Sequence, residues 1–424
     1  MATTFPPDVG HALDASNTLR LSERPVRPGL TIVIPALNEE ESIASTVERC
    51  LSAVPYIQDA GHVGEVEIIV VNDGSTDRTA EIAQEMAARK PGVFLITFPQ
   101  NKGYGAAIKA GFAKGSGELV AFLDADGTCD PTYFAEMCLA IQDDSATVVL
   151  GSRMGEGSQM PRIRRIGNRV YAFMLGVLSG RAVEDTASGM RVIRRSALGQ
   201  LYPLPDGLHF TPAMSARALM TGLNVVEIPM SYAERVGRSK LSVLRDGVRF
   251  FRSILEALLL YRPGRLFSLL ALLCVLVGSA WVLYPVEFYL RNQRLEEWMI
   301  YRVLLASFLF SGSFVLHTAG SVADHLVSLL WKSSGKTFWS HLSDKLLSQR
   351  SLYGLSAFAV LSGSILVWPG VHQYIASGHV TLHWSRVIAC LFLYQLAITA
   401  VITAIQLNII ALWKTQIRAR SKAI

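Results

Sequence analysis

The chain is poor in cysteine and in charge. Its five cysteines, Cys50, Cys129, Cys138, Cys274 and Cys390, are scattered without paired spacing. This excludes a disulfide framework and a zinc site, and it suits a reducing compartment. Only 17% of the 424 residues are charged while 50% are hydrophobic, which is too apolar for an ordinary soluble enzyme. Residues 1–29 lack the apolar run of a secretory leader. They are polar, carry Pro6, Pro7, Pro25 and Pro28, and read as a disordered lead-in.

Charge is scarcest at one end. From Pro263 onward four stretches are nearly free of it: Leu266–Val286, Val303–Ala323, Ser351–Val371 and Val387–Trp413. Each has the roughly 20 apolar residues that cross a bilayer. Residues 263–424 therefore read as a bundle of four transmembrane helices. The net charge of +6 comes largely from basic residues flanking these runs, which points to a membrane rather than nucleic acid. Lys332, Lys336, Lys345 and Arg350 follow the second run, and Lys414, Arg418, Arg420 and Lys422 follow the fourth. The loop Ile375–Trp384 has no lysine or arginine. This asymmetry predicts a multi-pass protein of the cell inner membrane with both termini and residues 30–240 on the cytoplasmic side. His317 and Asp324 stand out as ionisable groups in the second run. Residues 241–262 differ again. Leu241, Leu244, Val248, Phe251, Leu255 and Leu258 recur at helical spacing with Arg245, Arg249 and Arg252 on another face, the pattern of an interfacial helix.

Residues 30–240 alternate strand and helix patterns. Leu30–Pro35, Val66–Asn72, Val93–Thr97, Glu118–Leu123 and Thr147–Gly151 are short β-branched runs, with helical stretches such as Glu39–Ser52 and Ser75–Arg89 between them. That alternation predicts an α/β domain with a mostly parallel sheet, whose ligands sit beyond the carboxyl ends of the strands. Three of those ends are acidic: Asn38-Glu39-Glu40, Asp73 and Asp124-Ala125-Asp126. An Asp-x-Asp pair at a strand end suits a hard divalent ion, Mg²⁺ or Mn²⁺, shared with diphosphate oxygens. Such an ion would neutralise a departing nucleoside diphosphate.

The segments TIVIPALNEEESI, EIIVVNDGSTDRTAEIA, NKGYGAAIKAG and LVAFLDADGT resemble the successive signatures of family 2 glycosyltransferases with the Rossmann-like GT-A fold. VVLGSRM, VEDTASGMRVIRR and VEIPMSYAERVGRSKL are similar to the dolichol-phosphate mannose synthase branch, which moves a sugar onto a polyprenyl phosphate. The resemblance implies a donor pocket of Pro35, Asn38, Glu39, Asp73, Lys102, Asp124 and Ala125 for a UDP- or GDP-linked sugar. It implies a metal held by Asp124 and Asp126, with Thr128 where relatives have Gln. It implies acceptor or leaving-group contacts from Arg153, Arg164, Arg165, Ser188, Arg191, Arg238 and Lys240, with Arg238, Ser239 and Lys240 taken as the R-x-G-x-SK ending. The Glu that relatives carry near His209-Phe210-Thr211-Pro212-Ala213 is absent.

The expected reaction is inverting transfer with the lipid phosphate as nucleophile. Asp126, Asp185 and Arg191 are its catalytic candidates, Asp185 orienting the acceptor or accepting a proton. A hydroxyl acceptor would need a base, for which Glu184-Asp185 is available. Against it, the Gln-x-x-Arg-Trp motif of processive synthases is absent. A transporter would show inverted repeats, and none is evident. The oligomeric state is open, a homo-oligomer included.

Overall fold

The computed structural model describes residues 27–143, 146–155, 158–235, 243–330 and 345–423. The lead-in to residue 26, Arg238, Ser239, Lys240, Leu241, Lys332 and Lys336 lie outside them, as do the side chains of Leu244, Arg418, Arg420 and Lys422.

In chain order the soluble part is β1 (Leu30–Ala36), α1 (Ile43–Ala60), β2 (Val66–Asn72), α2 (Thr79–Arg89), β3 (Val93–Thr97), α3 (Tyr104–Lys114), β4 (Leu119–Phe122), α4 (Tyr133–Asp143), β5 (Val148–Ser152), α5 (Arg162–Ser179), β6 (Arg191–Arg194), α6 (Leu198–Leu201), α7 (Phe210–Thr221), β7 (Val225–Pro229) and α8 (Val243–Tyr261). One sheet holds all seven strands in the order β3-β2-β1-β4-β6-β5-β7. β6 is antiparallel to β4 and β5, and the other pairings are parallel. β1, β4 and β5 are buried along their whole length, as expected for strands covered on both faces. On one face Val47, Cys50 and Ile57 of α1 pack with Phe134, Met137 and Cys138 of α4. On the other, Ile108 and Phe112 of α3 meet Phe210 and Met214 of α7.

The expected strands are all present: β2 and β3 match their expected bounds, and β1, β4 and β5 differ by one residue at one or both ends. β6 and β7 were not expected, because four or five residues beside Gly- and Pro-bearing turns carry too little period to read.

α8 corrects one expectation. Phe250, Ile254, Ala257, Leu258 and Tyr261 are buried against α5 and α7. Val248 and Phe251 face outward, beside exposed Arg249 and Arg252. Leu258 therefore belongs to the inner face, not to the line of Val248 and Phe251. The helix carries two apolar faces and is docked on the domain.

Four helices follow that are long and apolar enough to cross a membrane: Pro263–Asn292, Glu297–Leu329, Gln349–Ser377 and Trp384–Ile417. The first packs along the second, the second on the fourth and the fourth along the third. Their outer faces expose side chains such as Leu272, Phe308, Ile365 and Leu391. Asp324, flagged in the second run, accepts from the Gly264 amide at 2.8 Å and so caps the first crossing helix. A Cβ on residue 264 would stand 2.1 Å from that carboxylate, which explains the glycine.

Candidate active site

The loops after β1, β2 and β4 meet at one edge of the sheet because those strands are parallel and in register, Ala36 opposite Asn72 and Val33 opposite Phe122. β6 runs the other way, so its first residue, Arg191, lies opposite Phe122 and Leu150. The reversal carries the 184–190 segment to the same edge as the Asp-x-Asp loop.

The first two loops are laced together. Asn38 takes the left-handed conformation (φ 48°) and its Oδ1 accepts from the Thr76 amide at 2.8 Å. Its own amide donates to Ser75 Oγ at 3.0 Å. Glu40 accepts from the Arg78 amide, and its amide donates to Asp77. Pro35 is buried within β1 opposite Val71. Buried Asp73 accepts from the amides of Lys102 (2.7 Å) and Gly103 (2.9 Å), pinning the loop that starts α3. Lys102 places its ammonium 4.6 Å over the Phe98 ring. Ala125 is buried and its carbonyl accepts from Thr46 Oγ1 at 3.0 Å, so this oxygen already serves the fold.

Asp124 and Asp126 form the centre. Tyr104, missed by the sequence reading, donates its hydroxyl to Asp124 Oδ1 at 2.6 Å. Its ring is wedged edge-on between Phe122 and Phe210, 6.5 and 6.4 Å away. Across the carboxylate, a Cβ on Gly189 would stand 1.9 Å from Asp124 Oδ2, so only glycine fits. Burial, then the charge of Asp126, pushes the Asp124 carboxyl up to about 7, against the Tyr104 hydrogen bond and the arginines Arg153 and Arg235. Thr128 donates its hydroxyl to Asp126 Oδ1 at 2.7 Å. That bond braces Asp126 and sets the Thr128 hydroxyl beside the carboxylate pair.

A divalent ion fits this pair. Two adjacent buried carboxylates, one resisting ionisation, call for a hard cation. Among the described residues no group of three His, Cys, Asp or Glu side chains converges as a metal cage. Such an ion would complete its shell from substrate and water, as Mg²⁺ does at phosphate sites.

The second half of the site is an ionic network. Asp185 is fully buried and grips Arg153 through two bonds, 2.7 and 2.8 Å. It also accepts from the Arg153 and Ala187 amides and from Asn168 Nδ2. Burial opposes ionisation, but Arg153 and these donors hold the carboxyl below its ordinary range. Glu227 on β7 accepts from the amides of Glu184 and Asp185 at 2.7 and 2.8 Å. Asn168 on α5 accepts from both the amide and hydroxyl of Thr186. Arg153 also lies 5.4 Å over the Tyr232 ring.

Two roles change in consequence. The Asp185 carboxylate is enclosed, its oxygens taken by Arg153, the Ala187 amide and Asn168, an arrangement that fixes Arg153. Arg191 is fully buried and donates to the carbonyls of Thr186 and Ser188, with Nη1 unpaired among the described residues. Desolvation lowers its pKa to about 10. It shapes the turn around Gly189, and buried Ser188 does the same through the Met190 carbonyl. Arg164 and Arg165 lie half-buried in the first turn of α5, Arg165 donating to the Ser158 carbonyl at 3.2 Å.

Arg235 was overlooked. Its guanidinium reaches Glu39 Oε1 at 2.8 Å and Asp126 Oδ2 at 3.4 Å, bridging the β1 and β4 loops. The sequence carried the signal. In R-x-G-x-SK the arginine in register with Gly237, Ser239 and Lys240 is Arg235, not Arg238.

A mostly parallel sheet with an Asp-x-Asp strand end, facing a basic ion-paired loop, defines a GT-A-type glycosyltransferase domain. Residues 31–202 match glycosyl transferase family 2. The chain is 33% identical over 231 residues to the dolichyl-phosphate hexose transferase of Haloferax volcanii, covering 54% of this chain and 94% of that one. It is 34% identical over 265 residues to the low-salt glycan biosynthesis hexosyltransferase Agl6 of the same organism, covering 62% of this chain and 60% of that relative's length. Glucosyl-3-phosphoglycerate synthase from Mycobacterium tuberculosis aligns over 55% of this chain and 79% of its own with a TM-score of 0.42 and 21% identity. The chain belongs to glycosyltransferase family 2.

Proposed function

We propose that this enzyme transfers a sugar, with inversion, from a UDP- or GDP-linked donor to a polyprenyl phosphate at the cytoplasmic face of a membrane. The observation that carries the reading is the state of Asp185. A hydroxyl nucleophile must lose its proton to a base; of the two candidates, Asp185 is sealed in an ion pair with Arg153 and Glu184 is exposed on the surface. A phosphate monoester has a second pKa near 6 and arrives already ionised. The dolichyl-phosphate hexose transferase of Haloferax volcanii, with 94% of its length matched, supports the same acceptor class.

The phosphate oxygen attacks the anomeric carbon. The bond from that carbon to the diphosphate breaks, and the nucleoside diphosphate leaves with the electron pair. Asn38 and Asp73 shape the donor pocket by holding their loops. Asp124 and Asp126 would hold Mg²⁺ or Mn²⁺, which supplies neutralisation of the leaving diphosphate. Arg235 crosses the cleft between Glu39 and Asp126 and is placed to meet phosphate charge as the donor enters. Arg153, gripped by Asp185, which Asn168 and Glu227 hold in turn, presents a fixed cation; positioning and fixed charge carry the rate gain. Lys240, the last residue of the R-x-G-x-SK ending, completes the acceptor side on sequence grounds.

The test is purified protein in bilayers with polyprenyl phosphate and a panel of UDP- and GDP-sugars. One donor should give a lipid-linked product; transfer from none of them contradicts the reading. Reporter fusions should place the C-terminus inside and Gly378 outside, and the reverse would put the catalytic domain on the other face.

A further inference from the structure

The loop that carries Asp124 and Asp126 runs from the end of β4 to the start of α4 and turns at Gly127, whose backbone is left-handed (φ 74°). Glycine admits that turn but resists no other conformation, so the loop has to be held from outside. Two elements hold it. On one side the Ala233 amide donates to the Thr128 carbonyl at 2.9 Å, tying the loop to the segment that carries Arg235. On the other side stands α1. Thr46 and Arg49, three residues apart and so on one face of that helix, both reach the loop's backbone. Thr46 Oγ1 donates to the Ala125 carbonyl at 3.0 Å, Arg49 Nη1 to the Gly127 carbonyl at 2.9 Å and Arg49 Nη2 to the Cys129 carbonyl at 3.0 Å.

Arg49 is the informative member of this clamp. It is exposed and lines a surface cleft of about 480 Å³ with Ser45, Glu48, Tyr56 and Asp130, so crowding does not force it over the loop. One guanidinium spanning two carbonyls uses the rigid fork that only arginine has. The residue between those carbonyls is Thr128, whose amide and hydroxyl both donate to Asp126. The carboxylates find their own partners on other elements, Asp124 at Tyr104 and Asp126 at Arg235. The clamp thus grips the backbone and leaves the acidic side chains to the site.

We propose that Arg49 is a positioning residue for the divalent ion: by clamping the Gly127 and Cys129 carbonyls it fixes the turn that sets Asp126, and with it the spacing of the carboxylate pair. The inference rests on the metal reading of Asp124 and Asp126 and is independent of the sugar and the acceptor. Its sign is distinctive. Removing a positive charge beside a cation site would by charge alone tighten metal binding. Releasing the loop weakens it.

The experiment titrates Mn²⁺ into the purified full chain in phosphatidylcholine nanodiscs, with free Mn²⁺ read by electron paramagnetic resonance and empty discs as background. Thermal unfolding of every variant is followed in parallel. Asp126→Asn should lose the tightest site. Arg49→Ala should raise the Mn²⁺ Kd roughly tenfold, the lower end of what losing an outer-shell partner of a metal site costs. Arg49→Lys, which keeps the charge but reaches one carbonyl at a time, should fall between Arg49→Ala and the wild type. Ser52→Ala, one turn further along α1 at the same cleft, should match the wild type. Mn²⁺ affinity equal to or above the wild type's in either Arg49 variant overturns the proposal, whatever that variant's thermal stability, and leaves the metal site standing if Asp126→Asn has lost it. Undiminished binding in Asp126→Asn would remove the metal reading itself, and this proposal with it.

Discussion

The two halves of the site are built by different means. In the half we assign to the donor, made by β1, β2 and β4, short loops are tied by side chains accepting from neighbouring backbone amides, as Asp73 does from Lys102 and Gly103. In the half we assign to the acceptor, made by β5, β6, β7 and α5, buried charges hold one another: Asp185 with Arg153, braced by Asn168 and Glu227. Backbone-tied loops keep their shape from local sequence. A buried ion pair depends on residues far apart in the chain, and losing one partner strands the other.

The largest effect is expected at the centre both halves face. Asp124→Asn and Asp126→Asn should each lower transfer at least about a thousandfold, on the scale of lost transition-state charge stabilisation. Membrane insertion should be kept, and EDTA should inhibit the wild type comparably. Near-normal turnover in both variants, with EDTA harmless, would remove the metal from the account.

Asp185→Asn separates the halves. It leaves Arg153 buried without its counter-charge, and breaking such a pair costs about 3–5 kcal/mol. A clear loss of thermal stability is expected, with transfer down about tenfold from lost positioning. The roughly 10²–10⁴-fold loss that follows removal of a general base is not expected. The pH dependence has a definite sign. Because the Asp185 pKa is depressed on folding, its stabilisation is complete above the unfolded value near 3.9 and fades as pH falls through the folded value. The variant should lose that acid-limb component of stability. If Asp185→Asn instead keeps full stability and abolishes transfer, Asp185 is a base after all.

Much of the donor half was legible because its groups are local. Asp124, Asp126 and Asp73 stand at the ends of strands that short β-branched runs mark. The acceptor half was legible as motifs but not as roles. Nothing in VEDTASGMR says that β6 runs antiparallel, and that reversal is what seals Asp185 against Arg153 and buries Arg191. Glu227 and Asn168 lie on β7 and α5, which the sequence pattern does not mark. Tyr104 carries no signal of its own in NKGYGAAIKAG, and its hydroxyl gains meaning only where Phe122 and Phe210 aim it. The R-x-G-x-SK register, by contrast, was readable and points to Arg235.

Smaller effects refine the comparison within the donor half. Tyr104→Phe removes one hydrogen bond to a charged group, worth about 1.5–3 kcal/mol. Donor KM and the metal concentration for half-maximal activity should rise by about tenfold or more, and thermal stability should fall as well; unchanged kinetic values would make the tyrosine a packing residue only. Arg235→Lys keeps the charge but cannot bridge Glu39 and Asp126 as a planar fork does. It should cost less than Arg235→Ala, and equal losses would mean that geometry, not charge, is what Arg235 provides.

The central claim is that the acceptor brings its own negative charge. The direct measurement pairs polyprenyl phosphate with the corresponding polyprenol, using the active donor and the wild-type enzyme across pH. Transfer is predicted to the phosphate alone, rising as the acceptor's second proton is lost near pH 6 and then flat. Transfer to the alcohol, with the phosphate inert, would contradict the account and require a base that the ion pair of Asp185 and Arg153 does not provide.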